Sequence, residues 1–100
     1  MIDWTRIEGF DWDEGNRRKS VEKHGVSQAE AEQAFMNEPL LIDGDDNHSG
    51  DEPRFRAYGQ TDSGRQLTLS FTLRAVETLI RVISARPMSR RESMRYEKET

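Results

Sequence analysis

The stretch Leu79-Ile80-Arg81-Val82-Ile83-Ser84-Ala85 constrains this chain more than any other part of it. In an extended strand Ile80 and Val82 face opposite to Leu79 and Ile83, so both sides are apolar. A strand apolar on both sides belongs inside a sheet, which predicts a central strand from Glu77 through Ala85, broken by Pro87. Two strands are expected upstream of it, Arg54 to Gln60 and Gln66 to Thr72. They are joined by the turn-forming cluster Thr61-Asp62-Ser63-Gly64 and followed by a second turn near Leu73 to Val76.

The N-terminal half supplies the elements that cover this sheet. Ile7 to Trp12 alternates loosely and predicts a first short strand. Asp13 is placed as an N-cap, with Glu14 in the first turn, and the helix runs to about His24 before Gly25 at the left-handed C′ position. Val21 is its one large aliphatic residue, so no broad apolar stripe holds it, and Asn16, Lys19, Ser20 and Lys23 share a polar face. Ser27 with Glu30 is a capping box, Val26 with Ala31 a hydrophobic staple, and Ala31, Ala34 and Phe35 recur at helical spacing. Pro39 ends that second helix, and Leu40 to Ile42 forms a short strand before the acidic loop Asp43 to Pro53. Ser89 with Glu92 is a second capping box, opening a last helix from about Arg90 to Lys98. The expected order is β-α-α-β-β-β-β-α, an α+β fold in one domain spanning residues 1–100.

Composition narrows the function. Hydrophobic residues are 33% of the chain and charged residues 34%, with a mean hydropathy of −0.94, polar enough to suggest that a partner finishes one face. The chain has no cysteine, which excludes disulfides and thiolate metal sites. Nothing resembles a signal peptide or a membrane span, so a cytoplasmic protein with no membrane contact is expected. Net charge is −4, but it is unevenly spread. Eight acids and no Lys or Arg lie between Gln28 and Glu52, whereas Arg17 to His24 carries four bases and Arg81 to Lys98 six. Local basic patches, more than the total, decide whether a polyanion binds.

Three separated strings resemble one family. Phe10-Asp11-Trp12-Asp13, Asn16, Lys19 and Lys23-His24-Gly25-Val26-Ser27 form the first. His48-Ser49-Gly50, Glu52 and Arg54 form the second, and Arg81-Val82-Ile83-Ser84-Ala85-Arg86, Glu92 and Tyr96 the third. Together they resemble the BrnT toxins, from about Phe10 to Glu97. The chain departs from that pattern at Asn16 and Ser20, where many members carry Lys and Asn. The resemblance implies a RelE-like fold with a mainly antiparallel sheet and endoribonuclease activity on RNA. It also implies a BrnA-type antitoxin whose ribbon-helix-helix segment binds operator DNA, so that this chain meets DNA only through that partner.

No cofactor or metal signature accompanies the resemblance. His24 and His48 have no paired ligand spacing, and Asp45, Asp46 and Asp51 lack the calcium-loop pattern. Metal-free RNA cleavage needs a base for the 2′-hydroxyl, cations for the phosphorane and an acid for the 5′-oxygen. Arginine suits the second role because its planar fork matches pairs of phosphate oxygens. Arg54, Arg81 and Arg86, with Lys23, are the candidate catalytic residues, and Lys19, His48, Glu52 and Tyr96 the candidate substrate contacts. Several have a structural alternative: Arg81 paired with an acid such as Glu52, Glu52 paired with Arg54, Tyr96 packed on the sheet, and the lysines merely solvated. His24 is read as a helix cap, and an unbroken strand would turn Arg81 and Arg86 to opposite faces, which only a bend before Pro87 can repair. Two other functions stand beside the nuclease: a non-catalytic module acting with its antitoxin in repression, and a metal-dependent hydrolase built on the Asp/His loop. An antitoxin covering the basic faces is expected to present an acidic or amphipathic helix.

Overall fold

The computed structural model describes residues 2–45 and 53–100. A short 3-10 turn, Trp4–Arg6, precedes β1 (Gly9–Trp12), α1 (Glu14–His24) and α2 (Gln28–Met36). Then come β2 (Leu41–Asp45), β3 (Arg54–Gln60), β4 (Gln66–Arg74), β5 (Leu79–Pro87) and α3 (Arg90–Glu99). The five strands form one sheet in the order β1-β5-β4-β3-β2. All neighbours are antiparallel except β1 with β5. This is the expected α+β order, with the 3-10 turn as an addition.

The local signals act where they were read. Asp13 Oδ1 accepts from the Gly15 and Asn16 amides, and Gly25 stops α1 at φ 62°. Both capping boxes, Ser27/Glu30 and Ser89/Glu92, are reciprocal. The core lies on one face of the sheet, where α2 sets Ala31, Ala34 and Phe35 against Ala57, Leu67, Leu69, Phe71, Ile80, Val82 and Ala85. Phe35 meets Phe71 edge to face at 5.1 Å between ring centres. Gly59 lets α2 come close, since a Cβ there would stand 2.4 Å from the Ala34 carbonyl oxygen.

β5 is an interior strand, as its two-sided apolarity requires, but it is not regular. Phe71 of β4 pairs with Val82, and Ser70 pairs with Ser84, so Ile83 is an extra residue. This bulge reverses the alternation: Ile80 and Val82 are buried before it and Ala85 after it. β1 reaches only as far as Val82. Beyond it α1 covers the free edge of β5, and the buried Ser20 hydroxyl accepts the Ala85 amide at 3.2 Å. A helix almost without aliphatic residues is thus docked through a polar bond to a strand edge.

Candidate functional site

The face of the sheet opposite α2 is polar, and strand register orders it in rows. Leu41, Tyr58, Thr68 and Arg86 form one row, and Asp43, Arg56, Ser70 and Ser84 the next. Thr72, Arg81 and Asp11 form a third, beside which Arg54 begins β3. The Thr72 hydroxyl donates to the Pro53 carbonyl at 2.7 Å, next to Arg54. Arg81 precedes the bulge and Arg86 follows it, so both project from this face despite being five residues apart. An unbroken strand would have separated them.

Each of these two arginines is held by acids. Arg81 Nη2 lies 3.1 Å from Asp13 Oδ2, and Nη1 lies 3.6 Å from Asp11. Asp13 therefore divides its work, one oxygen capping α1 and the other orienting Arg81. Arg86 makes a bidentate pair with Glu92 at 2.7 and 2.9 Å. The same carboxylate accepts from Thr68 Oγ1 at 3.0 Å and from the Ser89 amide at 2.8 Å, so the capping box of α3 also fixes Arg86. Hydrogen bonds from Arg86, then from Ser89 and Thr68, pull the Glu92 pKa down to about 2 against the opposing effect of burial. Arg86 is in turn raised above its ordinary value.

α3 lies across one end of this face. Arg95 forks onto Asp43 at 2.6 and 2.9 Å and stands over the Tyr58 ring at 5.5 Å. Its guanidinium holds the Asp43 carboxyl below the usual range. Tyr96 is 2% exposed, and its hydroxyl donates to the Pro39 carbonyl at 2.6 Å. Burial raises its pKa. The ring anchors α3 on the sheet and offers no free stacking surface.

The remaining candidates are distributed as follows. Arg54 is exposed and forms no ion pair among the described residues. Lys19 and Lys23 are exposed on α1, and no bond among the described residues ties either to Arg54, Arg81 or Arg86. His48 and Glu52 lie outside the described residues, and Arg81 takes Asp11 and Asp13 as its described acidic partners. The His24 carbonyl accepts from Arg65 Nη2 at 3.3 Å at the end of α1. Asp11 and Asp13, read from sequence as a motif string and a helix cap, were not expected to orient Arg81, and Arg56 was not singled out at all. For Arg56 a signal existed: Arg54, Arg56 and Tyr58 share one strand parity, opposite Phe55, Ala57 and Gly59.

A concavity of about 520 Å³ lies elsewhere. It is lined by Trp4, Phe35, Met36, Pro39, Leu40 and Ile42 on the α2 side, and among the described residues its one charged lining residue is Glu38. An apolar groove with an acidic rim does not suit a phosphodiester, so chemistry points to the polar face instead. Among the described residues no three of His, Asp and Glu converge to hold a metal ion, and no helix there is long and apolar enough to cross a membrane.

A family model described as "Ribonuclease toxin, BrnT, of type II toxin-antitoxin system" matches residues 12–92. Among solved structures, the chain is similar to the Brucella abortus ribonuclease toxin BrnT, with 21% identity and a TM-score of 0.59 over 84% of this chain and 100% of that one. At that identity the likeness carries the fold. No curated protein matches the chain at comparable significance.

Proposed function

The chain belongs to the BrnT family of ribonuclease toxins of type II toxin–antitoxin systems, and from that premise we propose that its polar sheet face cleaves RNA without a metal ion. The 2′-hydroxyl gives up its proton and attacks the adjacent phosphorus, Arg81, Arg86 and Arg54 stabilise the phosphorane charge, and the P–O5′ bond breaks to leave a 2′,3′-cyclic phosphate and a 5′-oxygen that takes up a proton. The observation that carries this reading is the bulge at Ile83, which turns Arg81 and Arg86 to one side of the sheet. Their acid partners hold the guanidinium planes without occupying all five donors of each. Preorganised cations of this kind cost little reorganisation when charge develops. Lys23 and Lys19 are proposed as phosphate contacts from α1, and His48 and Glu52 as further contacts from the segment of sequence that precedes Arg54. Tyr96 is assigned to holding α3 in place.

The partner proposed is a BrnA-type antitoxin with a ribbon-helix-helix segment, through which the complex reaches operator DNA. A second reading has an observation in its favour: Arg81 and Arg86 are each matched by carboxylates, as in a scaffold that serves only its antitoxin. Incubation of antitoxin-free protein with total RNA and EDTA separates the two. Cleavage that persists supports the metal-free nuclease, cleavage lost with EDTA supports a metal enzyme, and intact RNA with or without metal supports the scaffold. Arg54→Ala and Arg81→Ala are expected to lower cleavage while antitoxin binding is kept. Equal loss of both properties would assign those residues to structure. Growth arrest on induction, relieved by Arg86→Ala in a protein that still folds, gives the same answer in cells.

A further inference from the structure

Arg56 is a cation of the polar face that makes no ion pair among the described residues. It lies in the middle row, between Asp43 on β2 and Ser70 on β4, with Ser84 beyond. It is half-buried, yet it forms no ion pair among the described residues, whereas Arg65, Arg81, Arg86 and Arg95 all do. Its register neighbour Asp43 feels its charge, but both Asp43 oxygens are taken by the Arg95 fork. A guanidinium removed from part of its water without a matched acid is poorly compensated until an anion arrives.

Arg54 lies two residues back on the same strand face, exposed and likewise without an ion pair among the described residues. Two residues of strand span about 6.5 Å, a separation suited to neighbouring phosphates of an extended strand. Ser70, the register neighbour of Arg56, and Ser84 beyond it are neutral and add no competing charge.

We propose that Arg56 forms a phosphate-gripping subsite on β3, one phosphate along from Arg54, that holds the backbone of single-stranded RNA beside the scissile phosphodiester. This inference rests on the nuclease reading above. Arg81, Arg86 and Arg54 meet the reacting group, and Arg56, the uncommitted cation further along β3, supplies affinity. A contact of this kind reads charge and spacing, not base identity, so it weakens all sequences alike when lost.

The test uses the full chain with a fluorescein-labelled, single-stranded 2′-O-methyl oligoribonucleotide, which binds but has no free 2′-hydroxyl to react. Affinity is measured from about 50 to 300 mM salt for the wild type, Arg56→Ala, Arg56→Gln and Arg56→Lys, with urea midpoints to verify folding. Loss of one charged contact is expected to weaken binding roughly tenfold in Arg56→Ala and Arg56→Gln, and to flatten log K against log salt by about 0.7. Arg56→Lys keeps the wild-type slope. On cleavable RNA the loss falls mainly on KM. Folded Arg56→Ala and Arg56→Gln proteins with wild-type affinity and slope overturn the subsite while wild-type cleavage leaves the nuclease standing. A wild type that neither binds the oligonucleotide nor cleaves RNA overturns both.

Discussion

Replacing Glu92 with Gln removes one charge and almost no volume, at the point where α3, β4 and β5 meet. The carboxylate takes both terminal nitrogens of Arg86, the Thr68 hydroxyl and the Ser89 amide. Its pKa falls from an ordinary 4.5 to about 2 in the folded protein. At ~1.4 kcal/mol for each tenfold change in proton affinity, that corresponds to about 3 kcal/mol of stability at neutral pH. A glutamine still accepts from Ser89 and Thr68 but turns a neutral group toward Arg86, so Glu92→Gln should lose about 2–3 kcal/mol, or roughly 10–20 °C in Tm for a domain this size. Because the folded pKa is depressed, this contribution is fully present above about 4.5 and drains away as pH falls toward about 2. Urea unfolding followed by the fluorescence of Trp4 and Trp12 measures the gap between wild type and variant at a series of pH values. The gap should close on the acid side. Equal midpoints at pH ~7, or a gap that stays constant through the acid range, would refute the reasoning.

Three other substitutions test the fold that carries the face. Gly59→Ala drives a methyl into the Ala34 carbonyl at 2.4 Å and should cost at least ~2 kcal/mol, read as a lower urea midpoint; an unchanged midpoint would mean that α2 shifts freely. Ser20→Ala leaves the buried Ala85 amide without its acceptor, for a loss of about 2 kcal/mol and faster hydrogen exchange at Ala85; unchanged exchange would deny the edge contact. Val76 is 80% exposed and sits at φ 54° between Ala75 and Glu77, which are also left-handed. Val76→Asn relieves a β-branched residue there and should raise stability by about 1 kcal/mol, visible as a higher Tm; a lower Tm would place the strain elsewhere.

The parts of this molecule that sequence made legible are those decided within a few residues. The Asp13 cap, Gly25 and the two capping boxes each depend on bonds between near neighbours, and all were readable. The pairing of β1 with β5 depends on segments some seventy residues apart in sequence, and no local signal announces it. For the same reason Arg81 could not be matched to Asp11 and Asp13. The bulge was unreadable because Val82, Ile83 and Ser84 all suit a regular strand; only the demands of β4 and α1 decide which is extra. Arg56 was overlooked through motif reading, although its parity with Arg54 was open to inspection. The grouping of Arg81 with Arg86 was recognised as conditional on a bend, and the fold supplies it as an inserted residue.

That insertion makes counting as consequential as chemistry. Removing Ile83 would shorten the interval to four and leave Arg86 beside Arg81 on an unbroken strand, whereas straightening the strand with Ile83 kept, or adding one more residue, would swing Arg86 toward the helices, with Ala85 sent out in its stead. A homologue that retains both guanidinium residues but alters the interval between them by a single position would therefore have to shed or relocate its kink to stay competent. Spacing along β5 is an inherited dimension of this protein, as open to test by single-codon deletion as any side chain is by replacement.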